Sequence, residues 1–375
     1  MTNPGALCNE DRREMSLAKV VYGVSGEGSG HSSRAREMIT YLEKLGHTVK
    51  VVSYGRGYSN LRNDFDVFET EGLHIASSDN RISKVKTFTD NLQRLPVGHQ
   101  KLNVLRKEIF RAFQPDCVIT DFEPMTAYLA HHYRLPLITI DNQHGIRYMQ
   151  YPCPKRLQKE RRLTINIIRA MVPRPDISLV TTFYYGEAEN DRTFFFPPIL
   201  RAAVLTLQPS DGEHILVYLT SGFESYLRLL KSFTREQFRV YGYDRSDRDG
   251  QIAFKPFGTE EFLNDLSSCK AVMATAGFTL MTEAFYLRKP YLALPMRGQF
   301  EQELNAILLA RLKYGINLSR IRAEAVGNFL YRLADYKRNL NKYRAEDNSA
   351  IKAKLGELLD NNCLLAKAFY NRRRH

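Results

Sequence analysis

Short apolar, β-branched runs alternate with amphipathic stretches along this chain, the pattern of layered α/β folds. "AKVVYGVS" (18–25) predicts a first strand, His31–Leu45 a helix, Gly46 its stop and "HTVKVVSY" (47–54) a second strand. "DFDVFET" and "LHIAS" predict short strands in an irregular excursion between Gly55 and Asn91. A helix over about 90–113 precedes the strand "PDCVITDF". A further helix covers about 124–132, and "LPLITIDNQ" supplies the next strand. "DISLVTTF" reads as the final strand of the first half. "FFFPPILRAAV" (194–204) reads as a linker, because Pro197-Pro198 fits neither a helix interior nor a central strand.

The alternation then restarts. "HILVYLTSG", "QFRVYGYD", "QIAFKPF", "KAVMATAG" and "PYLALP" predict strands, with helices over Thr279–Leu287 and Glu301–Leu312. The economical reading is two similarly wound α/β domains joined near residue 200. Residues 1–16 form a loose tail, 17–200 the first domain and 201–345 the second. Residues 346–375 form a helical tail able to pack back on the first domain. A length of 375 residues fits two cores better than one.

Composition narrows the class. The hydrophobic fraction of 43% and charged fraction of 25% are those of a soluble globular chain. No run reaches the roughly 18 apolar residues of a membrane span. Five scattered cysteines form no CxxC pair, which speaks against a zinc site or disulfide scaffold and for a reducing cytoplasm. The net charge of +13 attracts anions, from nucleic acid to phosphorylated metabolites and acidic lipids. Without a zinc-finger spacing, RNP motif or Arg/Gly repeat, nucleic acid is not the expected partner.

Candidate chemistry begins at Gly26-Glu27-Gly28-Ser29-Gly30-His31, a glycine-rich turn between strand and helix. Such a turn lets backbone approach a ligand, and the helix behind it offers free N–H groups to anions. It is not the dinucleotide fingerprint: the glycines alternate, Ser33 or Arg34 stands at the third small position, and no acid ends the second strand. The positive end of a helix disfavours an imidazolium, so His31 stays neutral and available as a base; the plainer alternative is a helix cap. Asp121 closes its strand at the carboxyl edge of a parallel sheet, where an aspartate can hold a histidine's tautomer and stabilise its charged form. Glu123 can do the same. His144 is a competing base or a hydrogen-bonded loop histidine.

In the second half, Gly277 opens another helix whose first residues, Phe278, Thr279 and Leu280, present free amides. Glu283 lies one turn beyond Thr279 on the same face and suits the vicinal hydroxyls of a ribose. Glu301, Gln302 and Asn305 at the next helix start carry the donors and acceptors a sugar requires. Capped helices with polar surface would give single clusters of this kind; two fall within thirty residues.

The segment 274–306 resembles the nucleotide-sugar site of GT-B glycosyltransferases. It is most similar to the bacterial enzyme that transfers N-acetylglucosamine from UDP to a lipid-linked peptidoglycan precursor, and to a wider group of bacterial and archaeal glycosyltransferases. The resemblance implies two Rossmann-like domains facing across a cleft. It implies diphosphate binding by the amides of 277–280, ribose binding by Glu283 and sugar contacts from Glu301 and Gln302. The loop Gly26–His31 is similar to the family's GGxxGH, with Glu27 in place of the second glycine. By the same resemblance His31 is the catalytic base and Asp121 orients it; Gly28, Ser29, Gly30 and His144 are expected to line the acceptor side. Direct inverting displacement follows, with no metal and no cofactor beyond the nucleotide sugar. The family's sugar-reading pair is often two glutamines or aspartate-glutamine, so Glu301 leaves the sugar open. The two DxD matches, 64–66 and 247–249, are expected at the surface.

Two other readings stay open: an epimerase of UDP-N-acetylglucosamine with the same architecture, and a non-catalytic nucleotide-sugar binder. The segment 155–174 carries seven Lys/Arg against one acid, Glu160, interleaved with Leu163, Ile165, Ile167 and Ile168. It suits an anionic membrane surface on the inner face of the plasma membrane and a lipid-linked envelope acceptor, or equally a helix packed on its own domain.

Overall fold

The computed structural model describes residues 17–72, 77–78, 81–82, 95–219, 224–243 and 245–373. The expected tail 1–16 and most of the "LHIAS" segment lie outside the described residues.

The first half opens with β1 (Lys19–Val24), α1 (Ser29–Lys44), β2 (Thr48–Ser53), α2 (Gly55–Leu61) and β3 (Val67–Glu69). A two-stranded ribbon, β4 (Ser77–Ser78) and β5 (Arg81–Ile82), precedes α3 (Leu95–Leu105), which continues as a π-helical stretch to Ala112. β6 (Cys117–Asp121), α4 (Pro124–His132), β7 (Leu137–Asp141), α5 (Gln143–Tyr148), α6 (Gln158–Met171), β8 (Ile177–Thr181) and β9 (Thr193–Phe196) complete it. The strands form one seven-stranded sheet, ordered β3-β2-β1-β6-β7-β8-β9, with every pairing parallel. β6, β7 and β8 are buried at every residue, as a central parallel sheet requires. The apolar stripe Ala35, Met38, Ile39 and Leu42 turns α1 onto this sheet.

After α7 (Ala202–Leu205) comes a second sheet. Its elements are β10 (His214–Tyr218), α8 (Glu224–Leu230), β11 (Gln237–Tyr241), β12 (Arg248–Asp249), β13 (Ile252–Phe254), α9 (Thr259–Ser268), β14 (Ala271–Ala274), α10 (Phe278–Tyr286), β15 (Tyr291–Ala293), α11 (Phe300–Leu312) and β16 (Gly315–Asn317). The order is β12-β13-β11-β10-β14-β15-β16, parallel except for the antiparallel edge strand β12. Helices α12 (Ala323–Tyr331), α13 (Leu333–Leu340) and α14 (Ser349–Arg372) follow. Ile351, Leu355, Leu358 and Leu359 of α14 share one apolar cluster with Val20, Ile119 and Met38, so the chain's last helix is packed on the first sheet. α14 breaks at Asn361, Asn362 and Cys363, whose φ values of 49°, 55° and 61° are left-handed.

Three expectations need correction. The last strand of the first sheet is Thr193–Phe196, not 176–183, so the segment read wholly as linker begins as an edge strand that the prolines then terminate. Residues 142–148, read as the end of a strand and a loop, turn directly into α5. α1 starts at Ser29, one residue after Gly28, whose φ of 79° a side chain would strain.

Candidate active site

The carboxyl ends of both sheets meet at one cleft, because parallel strands all deliver their following loops to the same side. From the first domain, the loop after β1 brings His31, in the first turn of α1, beside Asp121, the last residue of β6. His31 Nδ1 lies 2.7 Å from Asp121 Oδ1. The imidazole is 12% exposed and the carboxylate fully buried. With the ring proton on Nδ1 donated to Asp121, Nε2 carries the free lone pair.

Sequence reasoning missed the group that completes this pair. Arg34 donates from Nε to Asp121 Oδ2 at 2.6 Å and from Nη2 to Oδ1 at 2.5 Å. Burial opposes its charge, but the Asp121 carboxylate outweighs that and raises the guanidinium above its ordinary value. A signal was present: Arg34 sits four residues before Met38, on the apolar face of α1, where a cation needs a buried partner.

His144, expected in a loop on the acceptor side, stands in α5 and is fully buried. Its Nδ1 lies 2.7 Å from Asp141 Oδ2, and its backbone N–H donates to Oδ1 at 2.8 Å. Burial alone would raise Asp141; His144 more than offsets it and holds the carboxylate below its usual range. This pair braces the turn from β7 into α5, which places Asn142 and Gln143.

From the second domain, α10 points its N-terminus into the cleft. Gly277 supplies no side-chain cap, the first turn holds no acid, and the first helical bond runs from Met281 to Gly277. The amides of Phe278, Thr279 and Leu280 therefore have no helical acceptor. Gly30 lies so close to this turn that a Cβ there would sit 2.6 Å from Thr279 Oγ1. Of the loop glycines, Gly28 has open space around it.

Glu283, one turn into α10, is 2% exposed and accepts a two-pronged bond from Arg201, Nε and Nη2 each at 2.6 Å. Its carboxyl is pushed up by burial, with Arg201 pulling the other way. Arg201 comes from the segment joining the two halves, another partner that spacing did not reveal. Glu301, at the start of α11, faces the first domain: Asn142 Nδ2 donates to Oε1 at 2.9 Å and Gln143 Nε2 to Oε2 at 3.1 Å. Gln302 instead pins its own loop, accepting from the Met296 N–H and donating to Gln299. Asn305 donates to the Ala276 carbonyl. A pocket between the domains is lined by Asn142, Gly145, Phe183, Phe278, Glu301 and Leu304, among others.

His31, Asp121, Gly30, Phe278 to Leu280 and Glu301 are thus gathered on one cleft, with Glu283 just behind it. The DxD acids lie elsewhere: Asp64 and Asp66 pair with Arg36 and Lys50, Asp247 and Asp249 with Arg245 and Lys231, all substantially exposed. Among the described residues, no group of three or more His, Cys, Asp or Glu is disposed to hold a metal ion, and no helix is long and apolar enough to cross a membrane.

Two parallel α/β domains facing each other across one cleft are the architecture of the GT-B glycosyltransferases. Solved structures share the fold. The calicheamicin glycosyltransferase CalG4 superposes with a TM-score of 0.65 at 13% identity, covering 96% of this chain and 99% of that one. Arabidopsis thaliana UGT89C1 complexed with UDP-L-rhamnose gives a TM-score of 0.64 at 16% identity, covering 93% and 100%. Residues 18–334 match glycosyl transferase family 1, and the chain belongs to that family. An uncharacterized glycosyltransferase of Methanosarcina acetivorans is 23% identical over 332 residues, covering 80% of this chain and 86% of the relative.

Proposed function

We propose that the protein transfers a hexose or N-acetylhexosamine from a UDP-sugar to an acceptor hydroxyl, with inversion and without a metal. The observation that carries this reading is the His31–Asp121 contact of 2.7 Å, set against the uncapped turn of α10 that packs on Gly30. The acceptor hydroxyl gives its proton to His31 Nε2, and its oxygen attacks the anomeric carbon from the face opposite the diphosphate. Asp121 stabilises the imidazolium that forms. The bond to the diphosphate breaks, and the charge left on that oxygen is received by the amides of Phe278, Thr279 and Leu280.

Glu283 accepts from the ribose hydroxyls in this scheme. The two bonds from Arg201 take one lone pair on each oxygen and leave the others to accept. Glu301 accepts from hydroxyls of the sugar. UGT89C1, complexed with UDP-L-rhamnose, supports a UDP-linked donor by analogy of fold. On the acceptor side, α6 carries Leu163 and Ile167 at the surface amid its basic residues, which favours a lipid-linked acceptor met at an anionic membrane face.

Calorimetric titration of UDP, GDP and NAD into the wild type and Glu283→Ala tests the donor assignment. A lost hydrogen bond to a charged group is worth about 1.5–3 kcal/mol, so UDP binding should weaken roughly tenfold or more in the variant. Binding of NAD with indifference to UDP would sink the reading.

A further inference from the structure

The scheme above leaves the buried cation beside the His31–Asp121 pair without a task. Arg34 follows His31 by three residues, so both side chains share one face of α1. Only 6% of it is exposed. Its fork is filled on every side: besides the two bonds to Asp121, Nη1 donates to Asn142 Oδ1 at 2.8 Å, and Nη2 lies 3.4 Å from Gln143 Oε1. Asn142 and Gln143 spend their amide N–H groups on Glu301. Polar contacts therefore run unbroken from His31 through Asp121, Arg34 and the two amides to Glu301 in the other domain.

A fully buried carboxylate needs a cationic partner, and Asp121 has two within reach. Were His31 the only one, burial of Asp121 would favour a second proton on the imidazole. That proton would occupy Nε2, the atom that must accept one from the substrate. Arg34 supplies a permanent positive charge instead. Its Nη2 directs its two N–H groups to Asp121 Oδ1 and Gln143 Oε1, and the charge stands 2.9 Å from His31 Nδ1, where it opposes a second proton on the ring. The other groups around this centre do not replace it. Asp141 from β7 is committed to His144, Tyr22 from β1 is a buried phenol that stays neutral, and Glu301 from α11 adds negative charge. The fork also fixes rotation: with Oδ2 held by Nε, Oδ1 is the oxygen presented to the ring.

We infer that Arg34 is a positioning residue of the transfer site: it keeps Asp121 ionised and oriented so that His31 rests neutral with its proton on Nδ1, and through Asn142 and Gln143 it joins that pair to Glu301. The inference rests on the transferase reading for its purpose, but its test needs neither donor nor acceptor.

The experiment is a long-range ¹H–¹⁵N spectrum of the imidazoles in the uniformly labelled full chain near neutral pH, with the His31 signals assigned by their loss in His31→Gln. The wild type should show His31 neutral and protonated at Nδ1. Arg34→Met should show it doubly protonated under the same conditions, and Arg34→Lys, which returns the charge without the fork, should restore the neutral ring. A folded Arg34→Met protein with the wild-type His31 pattern overturns the inference. If that variant does not fold, Arg34→Gln serves, because it keeps amide donors at the position without the charge; a neutral His31 in that variant overturns the inference equally. With an active enzyme, Arg34→Met should lower kcat about 10- to 100-fold near neutral pH, leave the donor KM within about twofold, and recover as pH rises. A wild type inert towards every nucleotide sugar, but with these spectral changes, defeats the transferase reading and leaves the role of Arg34 standing.

Discussion

Replacing Arg201 by methionine tests whether Glu283 is a buried charge held in place by one partner. The carboxylate is 2% exposed and both its oxygens accept from that guanidinium. Stripping the partner from a buried ion costs about 3–5 kcal/mol while the charge persists. Glu283 can escape this cost by taking up a proton, at about 1.4 kcal/mol for each pH unit above the ordinary glutamate value of about 4.3. The ceiling on the loss is therefore about 1.6 kcal/mol at pH 5.5 and about 4.4 kcal/mol at pH 7.5. The sign follows from proton counts. In the variant the folded state keeps a proton that the unfolded state has lost, so stability falls as pH rises between the two values. Urea unfolding at the two pH values should show a loss larger by about 1.5–3 kcal/mol at pH 7.5. Arg201→Met combined with Glu283→Gln should abolish that difference, since no charge remains to be neutralised. Equal losses at both pH values, or a double variant as pH-sensitive as the single one, would refute the assignment of Glu283 as a charged, buried partner of Arg201.

Three further outcomes are expected. Asp141 is held below its usual range by His144, so it stabilises the fold above the ordinary aspartate pKa of about 3.9 and that contribution fades as pH falls through its depressed value; Asp141→Asn should flatten the acid limb of an unfolding profile, and an unchanged limb counts against the pair. Gly30→Ala should suppress UDP release from the donor by pushing on Thr279 Oγ1, and Thr279→Ala should rescue it, because the next atom, Thr279 Cβ, lies 3.7 Å away; absence of rescue denies the contact. Leu355→Ala in α14 should cost about 2–5 kcal/mol in denaturant unfolding, whereas a change under about 0.5 kcal/mol would show that the last helix is not part of the first domain's core.

The fold was legible where hydrophobic period and turn chemistry agree. β1, β6, β7 and β14 are runs of β-branched and small apolar residues bounded by Gly, Pro or Asp, and nothing in their neighbourhood competes with that signal. β9 escaped notice because its "TFFF" run abuts Pro197-Pro198, and local reasoning gives the prolines to the whole segment. In fact they end an edge strand that needs pairing on one side only. β16 reads Gly-Ile-Asn, with a single β-branched residue between two that favour turns, so nothing local marks it as a strand. α5 is six residues long and its N-cap residue Asn142 makes no side-chain cap, so its helical state depends on packing of Ile146 and on the bond that the His144 amide donates to the Asp141 carboxylate.

The candidate site divides along the same physical line. Glycine turns and helix starts are local, so the loop 26–31 and the α10 terminus could be read from spacing. The charges that complete them are not local: Arg34 and Asp121 are 87 residues apart, and Arg201 and Glu283 are 82 apart. Only a folded chain decides which cation a buried acid receives. What the sequence did hold was a mismatch of register, an arginine at a core-facing position of α1 four residues before Met38. A long charged side chain on an apolar stripe costs several kcal/mol unless something beneath it returns that energy. The helix tolerates Arg34 because Asp121 waits at the carboxyl edge of β6, and the same contact leaves His31 facing the cleft. Violations of the apolar pattern at the ends of central strands and the starts of the helices that follow them are therefore where a catalytic centre in such a fold is best sought.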